Sequence, residues 1–166
     1  MKPKHIIFNL IFFALIVPQF IVAQTKSTKM LAKFIITDAT INGVDASPKY
    51  IDEGAYLVFY SIGDDENQLY MANFWPKSNT QSSGKIYGAE TSTTKADTEN
   101  YRMDYCSFNW SYKNTYDEKK GTAKVEVIKI FKPAGVAFVI KIIPEDLDVL
   151  IYKGYMEGTL DFSAFK

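Results

Sequence analysis

The amino-acid sequence predicts an all-β fold: an antiparallel up-and-down barrel of eight strands, with a two-sheet β-sandwich as the alternative. Three observations carry this. Stretches of strand length, rich in β-branched and aromatic residues, recur through the chain between Gly, Pro, Asn and Asp signals. The connections between them are short throughout, which favours a meander in which each strand pairs with the next. Residues 101–131, YRMDYCSFNWSYKNTYDEKKGTAKVEVIKIF, read as a hairpin carrying the densest aromatic cluster in the chain.

The elements follow in order. Residues 24–33 form a polar lead-in, and residues 34–42, FIITDATIN, a first strand with partial alternation. Asn42-Gly43 marks a turn. Ser47-Pro48 suits a helix N-cap followed by proline in the first turn, and Gly54 suits its end, so one short helical turn is expected over residues 48–53. Residues 55–62, AYLVFYSI, are apolar on both faces, as a strand covered on both sides would be. A polar loop over residues 63–67 leads to a third strand, 68–75, stopped by Pro76. Residues 77–84 read as loop, and residues 85–94 as a weaker fourth strand.

In the central hairpin, Cys106, Phe108, Trp110 and Tyr112 share one phase of a period-two pattern, and Ser107, Asn109 and Ser111 share the other. Tyr101, Met103 and Tyr105 are apolar on the opposite phase, which predicts a bulge in this strand or a change of covered face. Residues 117–121 turn the chain; Ala123, Val125 and Val127 then point one way, with a phase change at Ile128 and Ile130. Lys132-Pro133-Ala134-Gly135 fits a turn with proline at its second position. Residues 136–143 are the most apolar strand, and residues 147–160 hold the last, with Phe162 and Phe165 closing the chain.

Residues 1–23 have the build of a secretory signal peptide. Lys2, Lys4 and His5 start it, residues 6–17 are apolar apart from Asn9, Pro18 and Gln19 end the run, and Ala23 is a small residue for cleavage. The run is short against the roughly 20 residues of a membrane span; an uncleaved anchor is the alternative. The expected product is an exported protein, periplasmic or secreted, with residues 34–166 as one barrel domain and no stable membrane insertion after cleavage. Cleavage removes the only histidine and two of the 19 basic residues, leaving 17 against 19 acidic ones, a net charge of −2. With Arg102 as the only arginine, nothing provides an electrostatic footprint for nucleic acid. Cys106 is the only cysteine, so no internal disulfide forms and stability must come from packing. Nothing in the sequence sets the oligomeric state.

The run ATINGVDAS (residues 39–47), followed by the aromatic-rich AYLVFY, is similar to the opening of small exported lipocalin-like (calycin) domains. The chain resembles that family in its first strand, short helical turn and successive antiparallel strands. The resemblance implies binding of a small apolar ligand in the barrel mouth.

A processed chain without histidine has no Ser-His-Asp triad, no Cys-His pair and no histidine-containing metal site. It also lacks a P-loop and a dinucleotide-binding glycine pattern. No cofactor or metal is expected, and the chain reads as a non-enzymatic protein. Glu90, Glu99 and Asp104 are the carboxylates that a glycosidase pair would draw on, and ordinary rim charge is the preferred reading. Asp64, Asp65, Glu66 and Asn67 lack the spacing of a calcium loop, and Asp146 and Asp148 are discounted likewise. Cys106 reads as a small buried apolar residue, and Asn109-Trp110-Ser111 as a glycosylation match placed mid-strand. The surplus is aromatic. Core packing accounts for most of these rings, and Trp75, Tyr105, Trp110 and Tyr112 are the candidates for ligand contact. The other function class is a structural or interaction module that offers loops or a sheet face to a protein or glycan.

Overall fold

A computed structural model describes residues 27–63, 68–95, 102–145 and 148–161. The strands are β1 (Thr28–Ile41), β2 (Val44–Asp45), β3 (Tyr56–Ile62), β4 (Leu69–Trp75), β5 (Thr80–Lys95), β6 (Arg102–Asn114), β7 (Lys120–Lys132), β8 (Gly135–Pro144) and β9 (Leu150–Gly158), with one helix, α1 (Ser47–Glu53). Each strand from β3 to β9 pairs antiparallel with the next, and β1 pairs with both β3 and β9. That last pairing decides between barrel and sandwich: the sheet closes on itself and leaves no free edge. The two-residue β2 folds back on the end of β1 as an extra strand.

The interior is filled. Phe34, Leu57, Phe59, Met71, Phe108, Val125, Val127, Ile140, Ile142 and Tyr152 are fully buried, and they come from seven of the eight barrel strands. Cys106, Phe108 and Trp110 point inward with Tyr112, and Asn109 and Ser111 are exposed, as the alternation predicts, whereas Ser107 on that second phase is buried at 7% exposure.

Four details differ from the sequence reading, each for a physical reason. β1 begins at Thr28, inside the expected lead-in. Thr28, Lys29 and Met30 pair with Ile62, Ser61 and Tyr60, so backbone hydrogen bonding extends the strand beyond its apolar stretch. The alternation of β1 is only partial because its register with β9 shifts between Ile36 and Asp38. β5 takes in most of the expected loop; only residues 76–79 turn, with Asn79 at φ 52°. Its Ser and Gly content reflects crowding, since a Cβ on Gly84 would overlap the Ser111 carbonyl of β6.

Of the two readings of β6, a bulge or a change of covered face, the bulge is absent: β6 and β7 stay in one register throughout, and the register shift lies in β5, between Tyr87 and Glu90. The apolar residues on the second phase of β6 and β7 therefore face outward. Tyr105 pairs with Ile128 and that with Val139, making a half-buried stripe on the barrel's outer surface. Finally, Ala46 rather than Ser47 occupies the N-cap of α1 and makes no side-chain cap bond. The Asp45 carboxylate takes up that role by accepting from the Ser47 amide at 2.9 Å and the Ser47 hydroxyl at 2.6 Å, which hold its pKa below the usual value. Gly54 ends the helix in the left-handed region at φ 67°, as its position predicts.

Cys106 is fully buried on β6, where it pairs with Thr91 of β5 and Val127 of β7. Burial pushes its thiol up to about 12, and pushes Tyr50, Tyr60, Tyr112 and Tyr152 upward as well. Unfolded values are about 8.5 for Cys and about 10 for Tyr, so the folded chain holds these protons more tightly. Their contribution to stability is complete below about pH 8.5 and is lost as pH rises toward 12. Denaturant midpoints should fall steadily above about pH 9, and Cys106 should resist thiol reagents in the folded protein at neutral pH. Rapid labelling without unfolding would contradict this placement.

Candidate binding cleft

One end of the barrel carries α1. Tyr50, the buried residue of that helix, inserts between strands: its ring lies 4.5 Å from Trp75 and 5.1 Å from Tyr152. The helix reaches this position because the Asn42-Gly43 turn and β2 fold the chain over the mouth. The Ser47 hydroxyl, accepting from the Ala39 amide at 3.0 Å, ties the helix start to β1.

Beside the helix lies a cleft of ≈ 540 Å³, bounded by α1 and by the ends of β4, β5, β6, β8 and β9. Its size falls within the range of about 300–1,000 Å³ common to small-molecule sites. Its aromatic lining is Tyr50, Trp75, Trp110, Tyr112 and Tyr116, and Ile142 and Leu150 add aliphatic surface. Trp110 forms part of the floor. It is only 3% exposed, its indole N–H donates to the Met71 carbonyl at 3.1 Å, and its ring lies 4.5 Å from Tyr112. Trp75 and Tyr112 are half-buried at its lining, and the Lys49 ammonium lies 5.5 Å over the Trp75 ring. Tyr112 sits over Gly121, where a Cβ would come within 2.6 Å of its hydroxyl. Lys49, Glu53 and Asp148 supply charge around the lining.

Three of the four aromatic candidates therefore meet here. Tyr105 does not, because it lies one residue out of phase with Trp110 and Tyr112 and faces the outer stripe. The carboxylates do not converge. Glu90 is exposed opposite Ser107, whereas Asp104 is ion-paired with Arg102 at 2.9 Å and accepts from Thr93 at the other end of the barrel. Asp148 accepts from Asn42 at 2.6 Å and so fixes a loop. Residues 1–23, Asp64 to Asn67, Glu99, Tyr101, Asp146, Phe162 and Phe165 lie outside the described residues. Among the described residues no cluster of His, Cys, Asp and Glu could hold a metal, and no helix is long and apolar enough to cross a membrane.

The sequence reading missed the polar half of the site. Asn73 and Ser82 sit opposite each other on β4 and β5, and Ser82 sits opposite Asn114 on β6. The Asn73 amide donates to the Tyr152 hydroxyl at 3.3 Å, and that hydroxyl donates to Tyr50 at 3.2 Å. On the other side Ser82 donates to Asn114 at 2.6 Å, and Asn114 donates to Tyr116 at 3.0 Å. Burial, chiefly, holds the Tyr152 phenol well above its ordinary range, so it remains protonated at neutral pH. A signal was present in the sequence: Asn73 shares the apolar phase of Leu69, Met71 and Trp75, and Asn114 that of Phe108, Trp110 and Tyr112.

No family model matches the chain, and no curated protein and no solved structure matches it. The functional reading rests on the cleft.

Proposed function

We propose that the protein is an exported, non-enzymatic barrel that binds a small ligand with an apolar face in its mouth, in the manner of lipocalin-like barrels. The observation that carries this reading is the convergence of Trp75, Trp110 and Tyr112 on one cleft beside α1. The filled interior below that level favours the mouth over the barrel centre for such a ligand. Export is proposed from residues 1–23, and the mass of the protein recovered outside the cytoplasm tests it: a retained leader would contradict it.

Uptake of a hydrophobic fluorophore, followed by displacement with candidate ligands, tests the mouth site. Trp75→Ala should weaken uptake by tenfold or more, on the order of the 1.5–3 kcal/mol that burying a large apolar side chain contributes. Its fold should persist, since Trp75 lies at a strand end and is only half-buried. No uptake by the intact protein, or uptake indifferent to Trp75→Ala, would overturn the reading.

A second reading draws on the outer face. Across β3 and β4, Tyr56 stacks on Phe74 at 5.3 Å and Tyr60 on Tyr70 at 5.5 Å, all four half-buried and pointing away from the core. Such a row of flat rings would suit an interaction module that meets a glycan or protein. Glycan-array binding lost on Tyr60→Ala, without fluorophore uptake, would favour it over the mouth site.

A further inference from the structure

The mouth cleft is the middle of three depressions that share walls. A groove of ≈ 580 Å³ is lined by Trp75 and Thr80, which also line the cleft, and by Tyr56, Phe74 and Gln81, which do not. A hollow of ≈ 360 Å³ shares Tyr112, Asn114, Tyr116 and Pro144 with the cleft and runs on to Gly121 and Glu145. Rings therefore stand at both junctions: Trp75 at the first, Tyr112 and Tyr116 at the second. Each depression alone falls within the range of about 300–1,000 Å³ common to small-molecule sites. Three of them in series suit a ligand built of repeated units better than one compact molecule.

The lining selects among chain-like ligands. Apart from two prolines, Ile142 and Leu150 are its only aliphatic side chains, so an acyl chain finds little to lie against. An extended peptide gains affinity by adding a strand to an open sheet edge, and the pairing of β1 with β9 leaves none. Charge does not dominate either: three lysines and four carboxylates share the lining, and the groove beyond Trp75 holds no charged residue. What remains is aromatic rings together with neutral residues that donate and accept. Ser78, Asn79, Thr80, Gln81 and Thr115 are all exposed or half-buried there. A sugar complements this combination, with an apolar C–H face and a rim of hydroxyls.

We infer that the three depressions bind a linear, uncharged oligosaccharide, with one sugar in the mouth cleft and its neighbours carried over Trp75 on one side and past Tyr112 and Tyr116 on the other. This inference rests on the mouth-binding reading above and names the ligand class for the same site. Lys49, whose ammonium lies 5.5 Å over the Trp75 ring, adds a donor at the first crossing.

A length series tests it: cello-, malto- and N-acetylchito-oligosaccharides of one, two, four and six units, titrated calorimetrically against the intact protein. In at least one series the tetramer should bind tenfold or more tightly than the monomer, because each further sugar adds contacts without a second loss of translational freedom. Trp75→Ala should flatten that series. The length dependence on the unchanged protein stands even if the variant fails to fold. No gain with length in any series would overturn the inference; hydrophobic-fluorophore uptake alongside it would leave the mouth reading standing, and its absence would overturn both. A gain that survives Trp75→Ala would overturn the path across that ring, and its loss in Tyr60→Ala would assign the glycan to the outer face instead.

Discussion

Trp110→Ala is expected to lower stability by about 3–5 kcal/mol through lost packing alone. The side chain is 3% exposed, and it fills the space between Ile86 on β5 and Ala123 on β7, the small partner that makes room for it. Truncation also strips the Met71 carbonyl of the indole N–H that reaches it at 3.1 Å. That orphaned acceptor adds about 1–3 kcal/mol. Against a total stability of about 5–15 kcal/mol for a domain, the variant should be close to unfolding at physiological temperature. Trp110→Phe separates the two contributions: the ring remains and the donor goes, so the loss should be nearer the smaller figure. Thermal or denaturant unfolding of both variants measures this. A change below about 1 kcal/mol in Trp110→Ala would mean that the indole faces the cleft without supporting the core.

Gly84→Ala is expected to cost as much, although it adds a single methyl group. Gly84 has no left-handed φ, so conformational freedom is not the reason for glycine there. The reason is space. A Cβ at this position would overlap the Ser111 carbonyl and come within 2.7 Å of the Tyr112 Cα, both of them backbone atoms. β5 and β6 could relieve the clash only by separating where Gly84 pairs with Tyr112, next to the mouth cleft. A loss of about 4 kcal/mol or more follows, in the range reserved for severe core defects. Gly43→Ala is the control: it sits at φ 82° with open space around it, so only the backbone penalty of about 1–2 kcal/mol applies. If Gly84→Ala proved as mild as Gly43→Ala, the close approach of β5 and β6 would be wrong. Gly154 plays the same part at the seam between β9 and β1, where a Cβ would overlap the Ile35 carbonyl.

The sequence made the strand plan legible because period-two alternation survives wherever one face is buried. Cys106, Phe108, Trp110 and Tyr112 show it plainly, and the structure sets all four inward. Closure was not directly legible, since the pairing of β1 with β9 joins residues more than a hundred positions apart and leaves no local mark. β5 was read short because Ser82, Ser83 and Gly84 look like loop, whereas small side chains there are the condition for two strands to approach. The outward apolar phase of Tyr105 and Ile128 left a bulge and a change of covered face both open, because alternation alone cannot distinguish a turned strand from a covered outer surface. The cleft was half legible. Its rings stood out by type, while Asn73 and Asn114 were overlooked although each interrupts an apolar phase. Polar residues on an inward phase are the mark that a composition-led reading of aromatics passes over.

Amide NMR shifts recorded while a hydrophobic fluorophore is titrated into the protein test the central claim most directly. The account predicts that the perturbed amides cluster at the helix-capped end, around Tyr50, Asn73, Trp75, Ser82 and Tyr112. Perturbations centred instead on Leu69, Cys106 and Phe138, at the opposite end of the barrel, would contradict it.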